Sequence, residues 1–183
     1  MAFPPAKSDE NKIYLLLSSA DAMKQANVET VGQITGWGSD VIVITTNQPY
    51  IILKKLYTRA GIDLSKVHFV DAITKYAIGK VPEEQENVIF VNNPENLTDM
   101  GIAITRTLKE GEGRDVFVLF DSVSTMLIYL SSANISRFLH FVSSRLKILD
   151  VSGVFLAVEK GLDPLLLTQL TTFVDEVVDM DRA

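Results

Sequence analysis

The chain has 183 residues, of which 47% are hydrophobic and 22% are charged, with 10 Gly and 6 Pro. This composition excludes an intrinsically disordered, collagen-like or low-complexity protein. Seventeen Lys and Arg against 23 Asp and Glu leave a net charge of −6, so neither nucleic acid nor a membrane is expected as a partner. The lack of cysteine excludes disulfides, a thiolate zinc site and a cysteine nucleophile.

Residues 1–11 predict a flexible N-terminal arm, because two prolines followed by alternating charges offer little to bury. Phe3, Pro4 and Pro5 on this arm suit an exchange with a neighbouring molecule. The chain contains no apolar run of signal-peptide or membrane-spanning length, which indicates a cytoplasmic protein. Residues 12–183 show no repeat, linker or change of composition, and we expect them to form a single domain.

From residue 12 onward, short apolar runs alternate with segments of helical period. The runs predict seven strands, at residues 13–17, 41–45, 67–70, 88–91, 116–120, 153–158 and 174–178. The segments between them predict helices starting near Asp21, Pro49, Ser132 and Asp163, and a further helix capped by Asn93 with Pro94 at its first position. This alternation is typical of a three-layer αβα fold with a mostly parallel sheet.

In such sheets ligands bind beyond the carboxyl ends of the strands. The polar residues that follow successive strands are Ser18 and Ser19, Thr46 and Asn47, Asp71, Asp121 with Ser122, and Glu159. Asp121 closes an apolar run in the manner of a Walker B strand, whose aspartate holds Mg²⁺. The same pattern is equally compatible with a turn or a helix cap.

Four stretches together resemble the RecA superfamily of P-loop ATPases, and more closely its KaiC-like branch. They are TTNQPY at residues 45–50 with GIDLS at 61–65, VHFVDAI at 67–73, VLFDSVSTML at 118–127, and VEKGLDP at 158–164 followed by FVDEVV at 173–178. The resemblance extends over nearly the whole chain and implies a RecA-like fold. It also implies contacts between neighbouring subunits, as active relatives assemble side by side.

Two departures from that family bear on activity. The first strand of the family runs into GxxxxGK[ST], which wraps the phosphates, whereas no glycine stands here between Leu17 and Val31, and Lys24 is followed by Gln25. The branch carries a catalytic glutamate after its second strand, where this chain has Thr46 and Asn47, neither of which can act as a base.

Three hypotheses follow from these residues. The first is a RecA/KaiC-like domain that does not hydrolyse ATP and regulates or binds a protein partner or its own copies, with no cofactor. The second is an atypical Mg-dependent nucleotide-binding protein or weak ATPase, in which a vestigial nucleotide and Mg²⁺ site comprises Ser18, Ser19, Lys24, Asp121 and Ser122. The third is a receiver-like domain whose acidic strand-end cluster of Asp71, Asp121 and Glu159 binds Mg²⁺.

Overall fold

Seven parallel strands form one sheet in the computed structural model, which describes residues 7–83 and 85–182. The strands are β1 (Ile13–Ser18), β2 (Asp40–Thr45), β3 (Val67–Asp71), β4 (Val88–Phe90), β5 (Val116–Asp121), β6 (Ser152–Val158) and β7 (Glu176–Asp179). Their order across the sheet is β4-β3-β2-β5-β6-β1-β7, and every pairing is parallel. All seven predicted strands are present, with bounds that shift by one or two residues.

Helices connect these strands. They are α1 (Met23–Gly36), α2 (Tyr50–Arg59), α3 (Thr74–Ile78), α4 (Leu97–Glu110), α5 (Val123–Met126), α6 (Ser132–Ile148) and α7 (Pro164–Phe173), and 3₁₀ turns occupy Leu64–Lys66 and Glu159–Gly161. Within the described residues, none of them is both long and apolar enough to cross a membrane.

The sheet is covered on both faces, which confirms the three-layer αβα prediction. Alternate residues of β1 separate the two cores: Ile13 and Leu15 join a cluster with α4, α6 and α7, whereas Tyr14 and Leu16 join a cluster with α1 and α2. This alternation follows from the period of two along a strand. Because both sides are buried, the strands are apolar at consecutive positions, as the sequence indicated.

The start predicted for α4 is wrong by three residues. The Asn93 side chain accepts a hydrogen bond from the backbone N–H of Glu95 and so forms a turn. The cap is Asn96, whose side chain accepts from the N–H of Asp99. Both asparagines suit a cap, but only Asn96 stands directly before the residues that bury α4 against the sheet.

The N-terminal arm lies partly within the described residues, and Phe3, Pro4 and Pro5 lie outside them. Lys7 forms an ion pair with Asp115, and Asn11 donates to the backbone carbonyl of Asp150 at 2.7 Å. Residues 7–11 therefore contact the end of the domain at which the strands begin.

Candidate functional site

The candidate site lies at the carboxyl edge of the sheet, where β2 and β5 run side by side. Thr45 pairs with Asp121, so the residues that follow these two strands lie next to each other. Thr46 donates its backbone N–H to the carbonyl of Asp121, and its hydroxyl lies 3.2 Å from the carbonyl of Ser122. The peptide bond between Asp121 and Ser122 is cis.

Asp121 is a buried carboxylate at the centre of this edge, with 2% of its surface exposed. Its Oδ2 accepts a hydrogen bond from Asn27 Nδ2 at 3.0 Å, and its Oδ1 accepts one from Asn47 Nδ2 at 3.2 Å. Burial raises the pKa of Asp121 to about 6, and the two amide donors lower it only partly. Asp121 is thus held by neutral donors rather than by a cation.

Tyr57 extends this network into the core. Its hydroxyl donates to Asn27 Oδ1 at 2.7 Å, and its ring is completely buried. Burial raises the pKa of Tyr57 well above its usual value, and the charge of Asp121 raises it further. Because the Tyr57 hydroxyl donates, the oxygen of Asn27 must face Tyr57 and its NH₂ must face Asp121. The orientation of Asn27 is therefore determined.

Sequence reasoning missed both Asn27 and Tyr57. Asn27 stands at a buried position in the middle of α1, where a polar residue is unusual unless it has a partner. A polar residue at a position that the helical period buries was the signal that could have identified Asn27 as part of a site. Tyr57 gave no signal of its own, because an aromatic residue on the buried face of an amphipathic helix is explained by packing.

The space beside Asp121 is small. A cavity of about 20 Å³ is lined by Met23, Lys24, Asn27, Asn47, Gln48, Leu53, Leu56 and Asp121. This is room for about one water molecule, far below the several hundred cubic ångströms of ordinary ligand pockets. Gln48 Oε1 is buried at this place and has no hydrogen-bond partner among the described residues.

Residues of the loop between β1 and α1 close the site from the other side. Ser18 is buried, and its hydroxyl lies 3.1 Å from the carbonyl of Ser19 and 3.8 Å from Met23 Sδ. Met23, the first residue of α1, packs into the core shared with α2. Lys24 is exposed, and within the described part of the chain its ammonium has no ion pair or hydrogen bond. The Ser18 hydroxyl and the Met23 side chain thus contact each other at the start of α1.

Ser122 has a local role. It is the N-cap of α5, where its hydroxyl accepts from the N–H of Thr125 and the Thr125 hydroxyl accepts from the N–H of Ser122. This reciprocal pair is a capping box. The hydroxyl of Thr46 also lies 3.0 Å from that of Thr125. These hydroxyls bind one another and thereby join the loops after β2 and β5.

Asp71 is saturated by neighbouring donors. It accepts from the backbone N–H groups of Tyr50, Ile73 and Thr74, all at 2.8 Å, and from the Thr74 hydroxyl at 2.5 Å. The Tyr50 bond satisfies an N–H group at the start of α2, and the others anchor the turn into α3. Asp71 therefore joins the starts of two helices and has no free edge for a metal ion.

The predicted acidic cluster is not formed. Asp71 and Asp121 both lie level with Thr45, on the strands to either side of β2, so about 10 Å separates their backbones. Glu159 is exposed and stands three residues beyond the level of Asp121. Over residues 7–83 and 85–182, no group of three or more His, Cys, Asp or Glu residues is arranged to hold a metal ion.

The Mg²⁺ implied by the family also does not fit at Asp121 alone. Mg²⁺ requires near-octahedral oxygen ligands and usually keeps several waters. Both oxygens of Asp121 already accept N–H groups, and the adjoining cavity has room for about one water. The site as folded accommodates a proton on Asp121 more readily than a hydrated cation.

Comparison with protein families adds an independent finding. Residues 15–180 match a family model described as a family of unknown function, DUF7504. The chain belongs to this family. No curated protein matches it.

Solved structures match this DUF7504 member over most of its length. The uncharacterized protein PH0321 from Pyrococcus horikoshii, crystallised in complex with an unknown peptide, is 15% identical, and the match covers 94% of this chain and 78% of that one with a TM-score of 0.70. The KaiC-like protein PH0186 from the same archaeon is 14% identical, with 93% and 73% covered and a TM-score of 0.67. The fold is therefore RecA/KaiC-like, as the sequence resemblance implied.

Proposed function

We propose that this protein is a RecA/KaiC-like domain that acts through contacts with other proteins and does not hydrolyse ATP. The observation that carries the proposal is the state of Asp121, the residue in the Walker B position. It is buried, bound on both oxygens by side-chain amides, and next to a cavity of about 20 Å³.

The proposal predicts weak affinity for nucleotides. No glycine stands between Leu17 and Val31, so the loop before α1 cannot readily adopt the positive φ angles of a phosphate cradle. The loss of two or three charge-assisted hydrogen bonds, each worth about 1.5–3 kcal/mol, lowers affinity by roughly 10² to 10⁶. Met23 and Ser18 fill part of the remaining space.

The proposal also predicts that no side chain acts as the general base for ATP hydrolysis. Asn47 follows β2, where the KaiC-like branch carries its glutamate, and it donates its amide to Asp121. Thr46 is buried and bonded to the loop after β5. Neither side chain can accept a proton from an attacking water, and the loss of a general base typically costs about 10² to 10⁴ in rate.

A role in protein contacts is consistent with the remaining features. The framework of strands and helices is complete although the residues of hydrolysis are replaced. The similarly folded PH0321 was crystallised with a peptide, which supports the idea that this fold can serve peptide recognition.

A calorimetric titration with Mg·ATP up to several millimolar tests this proposal. We expect no saturable heat with the wild type or with Asp121→Asn, and no phosphate release above that of buffer. Glu159→Gln, at an exposed carboxylate on the same edge of the sheet, is the matched control. Saturable binding that Asp121→Asn alters and Glu159→Gln does not would replace the proposal with the second hypothesis, a protein that still senses nucleotide.

A further inference from the structure

A long furrow runs between α4 and α6 on the outer side of the helix layer. Its volume is about 640 Å³, and its lining includes Leu97, Gly101, Ile102, Thr105, Phe138 and Phe141. Ile102 is 62% exposed and Phe141 is 47% exposed. Two helices that already bury one face on the sheet thus present a second apolar face outward. We call this feature the α4–α6 furrow.

Gly101 keeps the floor of the furrow open. A Cβ atom at this position would lie 3.8 Å from Phe138 Cε2 and 3.8 Å from Phe141 Cε1, which is ordinary contact without a clash. A glycine in the middle of a helix costs roughly 0.5–1 kcal/mol relative to alanine. Since an alanine would fit, the backbone does not require glycine here. What glycine provides is space beside the buried ring of Phe138 and the exposed ring of Phe141.

The charge around the furrow is opposite to that of the whole protein. The chain carries a net charge of −6, yet α6, which forms one wall of the furrow, contains no acidic residue. Of the described residues that line the furrow, only Arg106 and Lys109 are charged, and both are cationic.

Acidic residues lie mainly beyond one end of the furrow. Glu110 is paired with Arg106 at 3.0 Å in an exposed ion pair, which water screens. Glu112, Asp115 and Asp150 line an adjoining cavity of about 450 Å³, and Asp115 is bound by Lys7. Lys109 therefore remains as a cation on the rim.

Arg145 adds a second observation in that adjoining cavity. Its Nε is buried and has no hydrogen-bond partner among the described residues. A buried guanidinium N–H without an acceptor is costly, and carboxylates are the acceptors that suit its geometry. Thr105 and Lys109 line both cavities, and Arg145 shares the adjoining one with Glu112, Asp115 and Asp150, whose charges offset its own.

We propose that the α4–α6 furrow binds an amphipathic helix of a partner protein whose apolar stripe is flanked by carboxylates. The apolar floor matches the stripe, and Lys109 and Arg106 on the rim match the acidic flanks. The stretch from Leu97 to Lys109 is about 18 Å long, which accommodates roughly three helical turns. This inference rests on the proposed function, because it names the partner class of an interaction module.

The two other possible occupants fit less well. A second copy bound across a two-fold axis would set Arg106 and Lys109 against the same two cations of the other copy, since such an interface pairs one patch with the same patch. A lipid surface would meet a concave furrow, whereas membrane-binding helices present a convex apolar face. A helix fills a concave groove between two helices by ordinary ridge-and-groove packing.

The test begins with selection from a displayed library of helical peptides about 14 residues long, with counter-selection on the Ile102→Glu variant. We expect enriched sequences to combine apolar residues at i, i+3, i+4 and i+7 with Asp or Glu beside them. Fluorescence anisotropy with one enriched peptide then gives a Kd in the micromolar range, which is typical of a small interface. Raised salt should weaken binding, because the flanking contacts are ionic.

Point variants assign this binding to the furrow. Ile102→Glu places a charge on the apolar wall and Gly101→Leu fills the floor, so each should weaken binding about tenfold or more. Lys109→Glu should weaken it several-fold and reduce the salt dependence. Ile128→Glu is the matched control, because Ile128 is 71% exposed outside the furrow, and we expect it to change the Kd less than twofold. Thermal unfolding of each variant shows that it is folded.

The proposal is overturned if no peptide is enriched, if enriched peptides lack carboxylates, or if both Ile102→Glu and Gly101→Leu bind as well as the wild type. Sedimentation of a dimer that Ile102→Glu dissociates would identify a second copy as the occupant. Binding to phosphatidylserine vesicles that Ile102→Glu abolishes would identify a lipid surface. The Mg·ATP titration probes Asp121 and not the furrow, so a failure of either proposal is seen separately.

Discussion

Replacing Asp121 with asparagine should stabilise the protein at neutral pH and leave it nearly unchanged in acid. Burial raises the pKa of Asp121 to about 6, whereas the unfolded chain has the ordinary value of 3.8. Between these values the folded state binds more protons than the unfolded state, so stability falls as the pH rises. Protonated Asp121 thus contributes stability that is complete below pH 3.8 and is lost as the pH passes 6.

The difference of about two pKa units corresponds to roughly 3 kcal/mol. An amide does not ionise, so Asp121→Asn removes this loss. Its oxygen can accept from Asn27, and its NH₂ can donate to Asn47 if the Asn47 amide turns over, which its partly exposed position permits. We therefore expect the variant to gain about 3 kcal/mol over the wild type at pH 7 relative to pH 3.5.

Urea unfolding of both proteins at several values between pH 5 and pH 8 measures this difference. About 1.3 kcal/mol of the change falls between pH 5 and pH 7, within the range where native structure is easiest to retain. The difference between the two proteins must be used, because Asp115 and Asp175 have lowered pKa values and contribute the opposite slope. If the difference in the free energy of unfolding between Asp121→Asn and the wild type stays constant from pH 5 to pH 8, the pKa of Asp121 is not raised.

Two further substitutions test the packing of the site and of the sheet. Asn27→Leu leaves the Tyr57 hydroxyl and the Asp121 carboxylate without their buried partner, so the free energy of unfolding should fall by about 2–5 kcal/mol. Urea unfolding measures this change, and a decrease of less than about 1 kcal/mol would show that these hydrogen bonds do not stabilise the fold. Gly153→Ala places a Cβ 2.8 Å from Leu146 Cδ1 and 3.0 Å from Ile13 Cδ1, so the free energy of unfolding should fall by about 1–3 kcal/mol. Gly36→Ala is the control, because its Cβ meets nothing within 4 Å and should leave stability unchanged or raise it. Equal Tm values for the two variants would show that the sheet adjusts to the added methyl group at Gly153.

The site illustrates how far a pattern of strands and turns can be used. Asp71 and Asp121 were correctly located at strand ends, because a carboxylate after an apolar run is visible in the sequence. Their chemistry was not visible. Asp71 binds the starts of α2 and α3, and Asp121 binds Asn27, which stands 94 positions earlier in the chain. Bonds between residues so far apart leave no periodic signal.

The α4–α6 furrow is a surface feature that the sequence pattern likewise did not predict. Leu97 and Gly101 stand at helical spacing on α4, and Phe138 and Phe141 do so on α6. The spacing gave no indication that α4 and α6 leave a groove between them, because the distance between two helices depends on the side chains that separate them. Gly101 leaves space beside the rings of Phe138 and Phe141, and this space exists only because α6 packs next to α4.

The sequence by itself determined the order of strands and helices, the parallel sheet and the coverage of both its faces, because these depend on hydrophobic period and local turn chemistry. It also shows that no glycine stands between Leu17 and Val31 and that Thr46 and Asn47 follow β2. Only the tertiary structure decided that Asp121 is enclosed by Asn27 and Asn47, that Asp71 and Glu159 lie apart from it, and that a cationic apolar furrow separates α4 from α6. These features arise from strand register and helix packing, which bring together residues that are distant along the chain.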